Sequence, residues 1–174
     1  MPSERTLQCY DYVSHPFPRV QAALHQGAAG IFSRATTGAA ERERDLAVQL
    51  RVRLGMLDVA TDVNVDVGPI EETMSSPYGY QVMVIPLTWK SATNPSLFPR
   101  MSAKLLVYPL SGHETQLEFE GSYYPPLGLL GDAIDAVVGH RIAQASVLHF
   151  VRDVAARLQA EISESKPGSS TTRG

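Results

Sequence analysis

The stretch YYPPLGLLGDAIDAVVGHRIAQASVLHFVRDVAARLQAEI, Tyr123 to Ile162, decides the fold. It enters through a turn at Pro125-Pro126, and apolar residues then recur at helical spacing. At about 100° per residue, Ile134, Val137, Val138, Ile142, Ala145 and Leu148 fall on one side of a helix. Val151, Val154, Ala155, Leu158 and Ile162 continue a stripe that drifts around the axis. One long helix therefore closes the chain, and a drifting stripe suits a helix laid across a twisted, curved sheet.

The sheet is read from the preceding residues. Thr6 to Val13 is rich in strand formers and stops at Ser14-His15-Pro16. Ser14 can cap a helix and Pro18 is tolerated in a first turn, so PFPRVQAALHQGAAGIFSRAT opens as helix with Val20, Ala23 and Leu24 on one face. Gly27 and Gly30 interrupt it. The expectation is two short helices with a bend, ending before Thr37-Gly38, with Ile31 and Phe32 anchoring the second. GAAERERD follows as a solvated connector.

From Leu46 the period changes to two. Leu46, Val48, Leu50, Val52 and Leu54 alternate with Ala47, Gln49, Arg51 and Arg53, which predicts a half-buried strand. The phase flips at Gly55-Met56, because Leu57, Val59, Val63, Val65 and Val67 occupy odd positions. A hairpin there would set Arg51 and Arg53 against acids of the next strand. Gly68-Pro69 and Ser75-Ser76-Pro77 bound a loop. QVMVIPLTWK is a strand apolar on both faces, in which Pro86 marks an edge or a bulge because it has no N–H for a ladder. After the loop SATNPSLFPR, the segments MSAKLLVYPL and HETQLEFEGSYY form a hairpin about Ser111-Gly112.

With 174 residues, 44% of them hydrophobic, the chain suits one domain, placed at residues 1–162, with residues 163–174 as a disordered polar tail. Fifteen basic against 18 acidic residues leave a net charge of -3, so no overall basic footprint for nucleic acid exists. Cys9 is the only cysteine, which excludes an intramolecular disulfide and a cysteine-rich metal site and fits a reducing cytoplasm. The first residues lack a signal pattern, and no run approaches the roughly 18 apolar residues of a membrane span. No phosphate loop, GxSxG elbow, HExxH or paired-carboxylate motif occurs, and no cofactor or metal is implied.

Two stretches carry a family resemblance. YDYVSHPFPRVQAAL is similar to the opening strand and helix of the START-like superfamily, also called SRPBCC, which includes the birch-pollen-allergen family and the polyketide cyclases. FEGSYYPPLGLLGDAIDAVVGHRIAQASVLHFVRDVAARL is similar to the last strand and closing helix of its bacterial members. The resemblance covers roughly Thr6 to Leu158. It implies an α+β helix-grip fold, a curved antiparallel sheet of about six or seven strands around a long C-terminal helix, with two short helices after the first strand. It also implies an apolar cavity between sheet and helix for sterols, lipids, polyketides or other hydrophobic molecules. Fold-level likeness transfers no activity.

Arg141 is the most informative polar residue, since the wheel places it between Val137 and Val138 with no acid one turn away on either side. Two readings stand. Arg141 meets the polar end of a ligand in the cavity, with Val138 beside it, or it pairs with an acid from a strand or snorkels to the rim. His149 lies near the apolar arc and is read either as a cavity acid or base or as a satisfied structural residue. His140 and His149, nine positions apart, lie on opposite faces and cannot share a metal. Asp153 and Arg157 read as a surface pair. Trp89, Tyr108 and Tyr123 sit on strands and are candidates either for lining a cavity or for packing the core.

Three functions compete: binding of a small hydrophobic or amphipathic ligand, lipid-like, fatty-acid-like or polyketide-like; a cyclase or aromatase-type enzyme using Arg141, His149 or a tyrosine; and a protein-interaction module using an exposed edge such as the Pro86 strand. Binding ranks first. A cavity filled by large side chains would sink it, divergence of the polar groups would remove the enzyme's support, and homo-oligomerisation is left open.

Overall fold

The computed structural model describes residues 4–54, 63–76, 79–91, 100–124 and 132–165, and among these the side chains of all but 36–54, 63–64, 90–91, 132–139 and 142. Strand β1 (Arg5–Val13) leads into helix α1 (Phe17–Leu54). Strands β2 (Val63–Val67), β3 (Glu71–Met74), β4 (Gln81–Ser91), β5 (Met101–Pro109) and β6 (Thr115–Tyr123) follow, and helix α2 (Asp132–Glu164) is the last described element. The six strands form one antiparallel sheet in the order β1-β6-β5-β4-β2, with β3 also on β4. Chain order and spatial order differ because β1 pairs with the last strand, which brings the two ends of the domain together.

Alternation sets the two faces of the sheet. Leu7, Met83, Ile85, Leu87, Trp89, Met101, Leu105, Val107, Leu117, Phe119 and Tyr123 are buried on the inner face. Both helices cover that face. α2 lies over β1 and β6, α1 over β2 and β5, and the helices pack on each other. From α1 come Val20, Leu24, Ile31 and Phe32, and from α2 come Val147, Phe150, Val151, Val154, Leu158 and Ile162. The helices are tied by Arg34, which meets Glu161 at 2.7 Å, and by Arg157, which donates to the Arg34 carbonyl oxygen at 3.2 Å.

Several expectations from sequence change. The bend at Gly27 is present, where φ is -152° and ψ 21°, but the helix does not stop near Thr37; it continues to Leu54. The segment expected as connector and strand, Gly38 to Leu54, is therefore helical. Its alanines, glutamates, arginines and leucines are strong helix formers, and Leu46, Leu50 and Leu54 also lie four apart, so one pattern satisfies both periods. The hairpin expected to carry Arg51 and Arg53 is therefore not formed: those positions are helical, β2 pairs with β4, and the turn expected at Gly55-Met56 lies outside the described residues. Ser14 does not cap α1: the Pro16 carbonyl accepts from Arg19 and Val20, while the Ser14 N–H donates to Gln159 of α2 at 2.9 Å.

Pro86 marks neither an edge nor the exposed strand of an interaction module, because β4 is flanked by β5 on one side and by β2 and β3 on the other. β2 ends at Val67 opposite Leu87, β3 starts at Glu71 opposite Val84, and between them the Gly68 N–H donates to the Pro86 carbonyl at 2.8 Å. The loop expected after Gly68 therefore contains a strand. The missing N–H of Pro86 faces the gap between the two strands, where no ladder acceptor is left wanting. Gly68 is required there, since a Cβ would lie 2.9 Å from the Pro86 Cβ.

Candidate functional site between the first strand and the closing helix

The drifting stripe of α2 resolves into two adjacent arcs. Val147, Phe150, Val151, Val154 and Leu158 face the sheet and are buried. A second arc, with Arg141, Gln144, Ala145 and Leu148, faces the flank of β1. With Leu7, Gln8, Cys9 and Val147 these residues line an open groove of about 380 Å³. Its floor is apolar, from Leu7, Ala145, Val147 and Leu148, and its rim is polar, from Gln8, Gln144 and Arg141. Arg141 is exposed at this rim and does not project into the interior. It lies about 100° around the axis from the middle of the buried arc, too far to point at the sheet. Among the described residues no acid pairs with it. Cys9 is half-buried in the groove wall, and burial, with a smaller push from Asp11, raises its thiol pKa from 9.0 to about 11.

Among the described residues, rings pack against one another around Trp89. Trp89 meets Phe150 edge-on at 5.1 Å and Phe119 at 5.8 Å, and Phe150 in turn touches Phe32 at 6.1 Å. Trp89, Met101 and Tyr123 are consecutive in one cross-strand row, so Trp89 and Tyr123 stand about 10 Å apart on the same face. The indole Nε1 of Trp89 is buried with no hydrogen-bond partner among the described residues. An unsatisfied buried donor costs about 1–3 kcal/mol.

Tyr123 is buried and its hydroxyl lies 3.1 Å from Nδ1 of His140, with the rings stacked 6.4 Å apart. Burial raises the Tyr123 pKa, which keeps the phenol protonated. From sequence His140 is weighed only as a metal partner for His149 and is given no place in the site. Counting back seven positions from Val147 puts it in the middle of the buried arc, and that count could have found it.

The other candidates are scattered. Tyr108 lies on the outer face of the sheet, because Met101, Leu105 and Val107 take the inward positions of β5. It stacks on Tyr80 at 5.5 Å, donates to Glu118 at 2.5 Å and accepts from Gln116 at 2.6 Å. Burial and the Glu118 carboxylate push its phenol up. His149 is half-buried on α2, and the side chain of Val138 lies outside the described residues. Arg141, Tyr108 and Tyr123 thus open onto three separate places. At the far sheet edge, Glu72 of β3 accepts from Gln21 and His25 of α1 and from Gln81 of β4, at 2.8, 2.9 and 2.8 Å. Among the described residues no cluster of three metal-ligating side chains exists, and no helix is long and apolar enough to cross a membrane.

No protein-family model and no curated protein matches the sequence. Solved structures match the fold. A conserved protein from Geobacillus kaustophilus is 13% identical with a TM-score of 0.50, over 94% of this chain and 97% of that one. An aromatase/cyclase from a Streptomyces species is 9% identical with a TM-score of 0.48, over 92% and 96%. Norcoclaurine synthase from Thalictrum flavum is 9% identical with a TM-score of 0.45, over 92% and 88%. The element order, an antiparallel sheet packed against a long closing helix, is that of the helix-grip fold, which this chain shares with the Geobacillus protein.

Proposed function

We propose that the protein binds a small amphipathic molecule between the sheet and α2, with the apolar body on Leu7, Val147 and Leu148 and the polar end at Arg141. The groove carries this reading: an apolar floor beside a rim cation with no paired acid among the described residues. A body of fatty-acid type with an anionic head matches that chemistry. The aromatic packing around Trp89 argues against a preformed cavity at that point, so the ligand lies along the groove and not wholly inside. The enzyme alternative has less support, because Arg141, Tyr108 and Tyr123 do not converge.

Dodecanoate and dodecanol, followed by isothermal titration calorimetry, test this. Both bind, and Arg141→Gln weakens the acid about 2- to 5-fold, the modest effect of an exposed charge, while leaving the alcohol unchanged. Ala145→Phe fills the groove and weakens both. If neither compound binds the native protein, the groove is not a ligand site.

A further inference from the structure

Trp89 is the only tryptophan of the chain, is 9% exposed, and holds its indole N–H away from water with no partner among the described residues. Buried donors are as a rule paired, so a donor so placed calls for an explanation. A trapped water is a poor candidate, because it needs two to four polar partners, as a rule, and the neighbouring Phe119, Phe150 and Met101 side chains offer none.

The space that an acceptor-bearing molecule would use is marked by a glycine. Gly121 and Ala103 are register partners on the inner face, one row from Trp89. A Cβ on Gly121 would lie 2.7 Å from Cε1 of Phe119 and 3.2 Å from the Ala103 Cβ, so the Phe119 ring lies over a notch left by two small residues. Leu7, the register partner of Gly121 on its other side, lies in the groove floor. The notch therefore separates the groove from the indole, and one aromatic ring fills it.

We propose that the Trp89 N–H is an interior hydrogen-bond donor for the carbonyl of a flat, uncharged part of a bound molecule, reached when the Phe119 ring swings off Gly121 and Ala103. This rests on the reading that a ligand binds between sheet and α2, and it adds a second recognition point of different chemistry. The guest part is flat because it takes the place that the Phe119 ring leaves beside Phe150. It is uncharged because the register partners of Trp89, Val65 and Met101, are apolar and leave an ion unpaired.

The probes are 2-acetylnaphthalene and 2-isopropenylnaphthalene, equal in shape and differing in the carbonyl oxygen. The sole indole N–H gives a single cross-peak in a 15N–1H spectrum of the native protein. The ketone is expected to bind roughly 5- to 10-fold tighter than the alkene and to move the indole proton downfield, which the alkene does not. Trp89→Phe removes that preference, and Phe119→Leu tightens both probes. Equal affinities with an unmoved indole proton overturn the donor role while leaving binding between sheet and helix intact. If neither probe binds the native protein or the Phe119→Leu variant, and dodecanoate also fails, the binding reading falls and this inference with it.

Discussion

Gly121→Ala forces the Phe119 ring against its neighbours, and the size of the effect follows from the packing. The new methyl would start 2.7 Å from Phe119 Cε1, 3.1 Å from Cζ and 3.2 Å from the Ala103 Cβ. Phe119 is fully buried between Trp89 at 5.8 Å and Phe150 at 6.4 Å, so with no guest to take its place its ring yields only by giving up that packing. Overpacking of this kind costs about 1–3 kcal/mol. At about 2–4 °C per kcal/mol for a domain of this size, Tm falls by roughly 2–12 °C. Phe119→Leu removes the ring atoms that the methyl meets. In that background Gly121→Ala is expected to be neutral or stabilising by up to about 1 kcal/mol, since alanine loses less backbone freedom on folding. Urea unfolding of the four proteins, followed by the fluorescence of Trp89, gives the coupling directly. Additivity within about 0.5 kcal/mol would refute the placement of the ring over the glycine.

Other expectations are briefer. The hydrogen bonds from His25 and Gln21 hold the Glu72 pKa below its ordinary value of 4.5, so their contribution is complete above that value and is lost as pH falls through the lowered one. The protection of β3 amides, taken relative to the intrinsic exchange rate at each pH, should fall over that acidic window in the native protein and be lower already at neutral pH in Glu72→Gln. Tyr123→Phe removes the bond to His140 and should cost about 0.5–1.5 kcal/mol in urea melts, with a shift of the His140 ring signals. Cys9, raised to about 11, should react with iodoacetamide at pH 8 far more slowly than free cysteine does, until denaturant exposes it. Glu161→Gln should change stability by less than about 1 kcal/mol, because both partners of its pair with Arg34 are well exposed.

The architecture was legible where one period stood alone. Gln116 to Tyr123 alternates without ambiguity, and β6 lies there; Val147 to Ile162 follows the helical period, and the core side of α2 lies there. Leu46 to Leu54 satisfies both periods, and helix-forming composition was the better guide. β3 could not be read, because Glu71 to Met74 is exposed throughout and has no apolar signal; it exists by pairing with β4 beyond the gap at Pro86.

The site was legible only in part. Arg141 stood out as a cation among apolar residues, yet its direction depended on which of two arcs meets the sheet, a question of tertiary packing. Tyr108 and Trp89 look alike as strand aromatics, and the register of β4 with β5 sends them to opposite faces. His140 acquires its meaning only through Tyr123, which is distant on the sheet until the helix crosses it.

The central claim, a small molecule held between β1 and α2, is tested most directly by native mass spectrometry of the protein purified from its own host. One small-molecule adduct per chain is expected, released on denaturation and absent from Ala145→Phe. A bare native protein that also takes up no dodecanoate would contradict it, and would favour a packed domain acting through its surface.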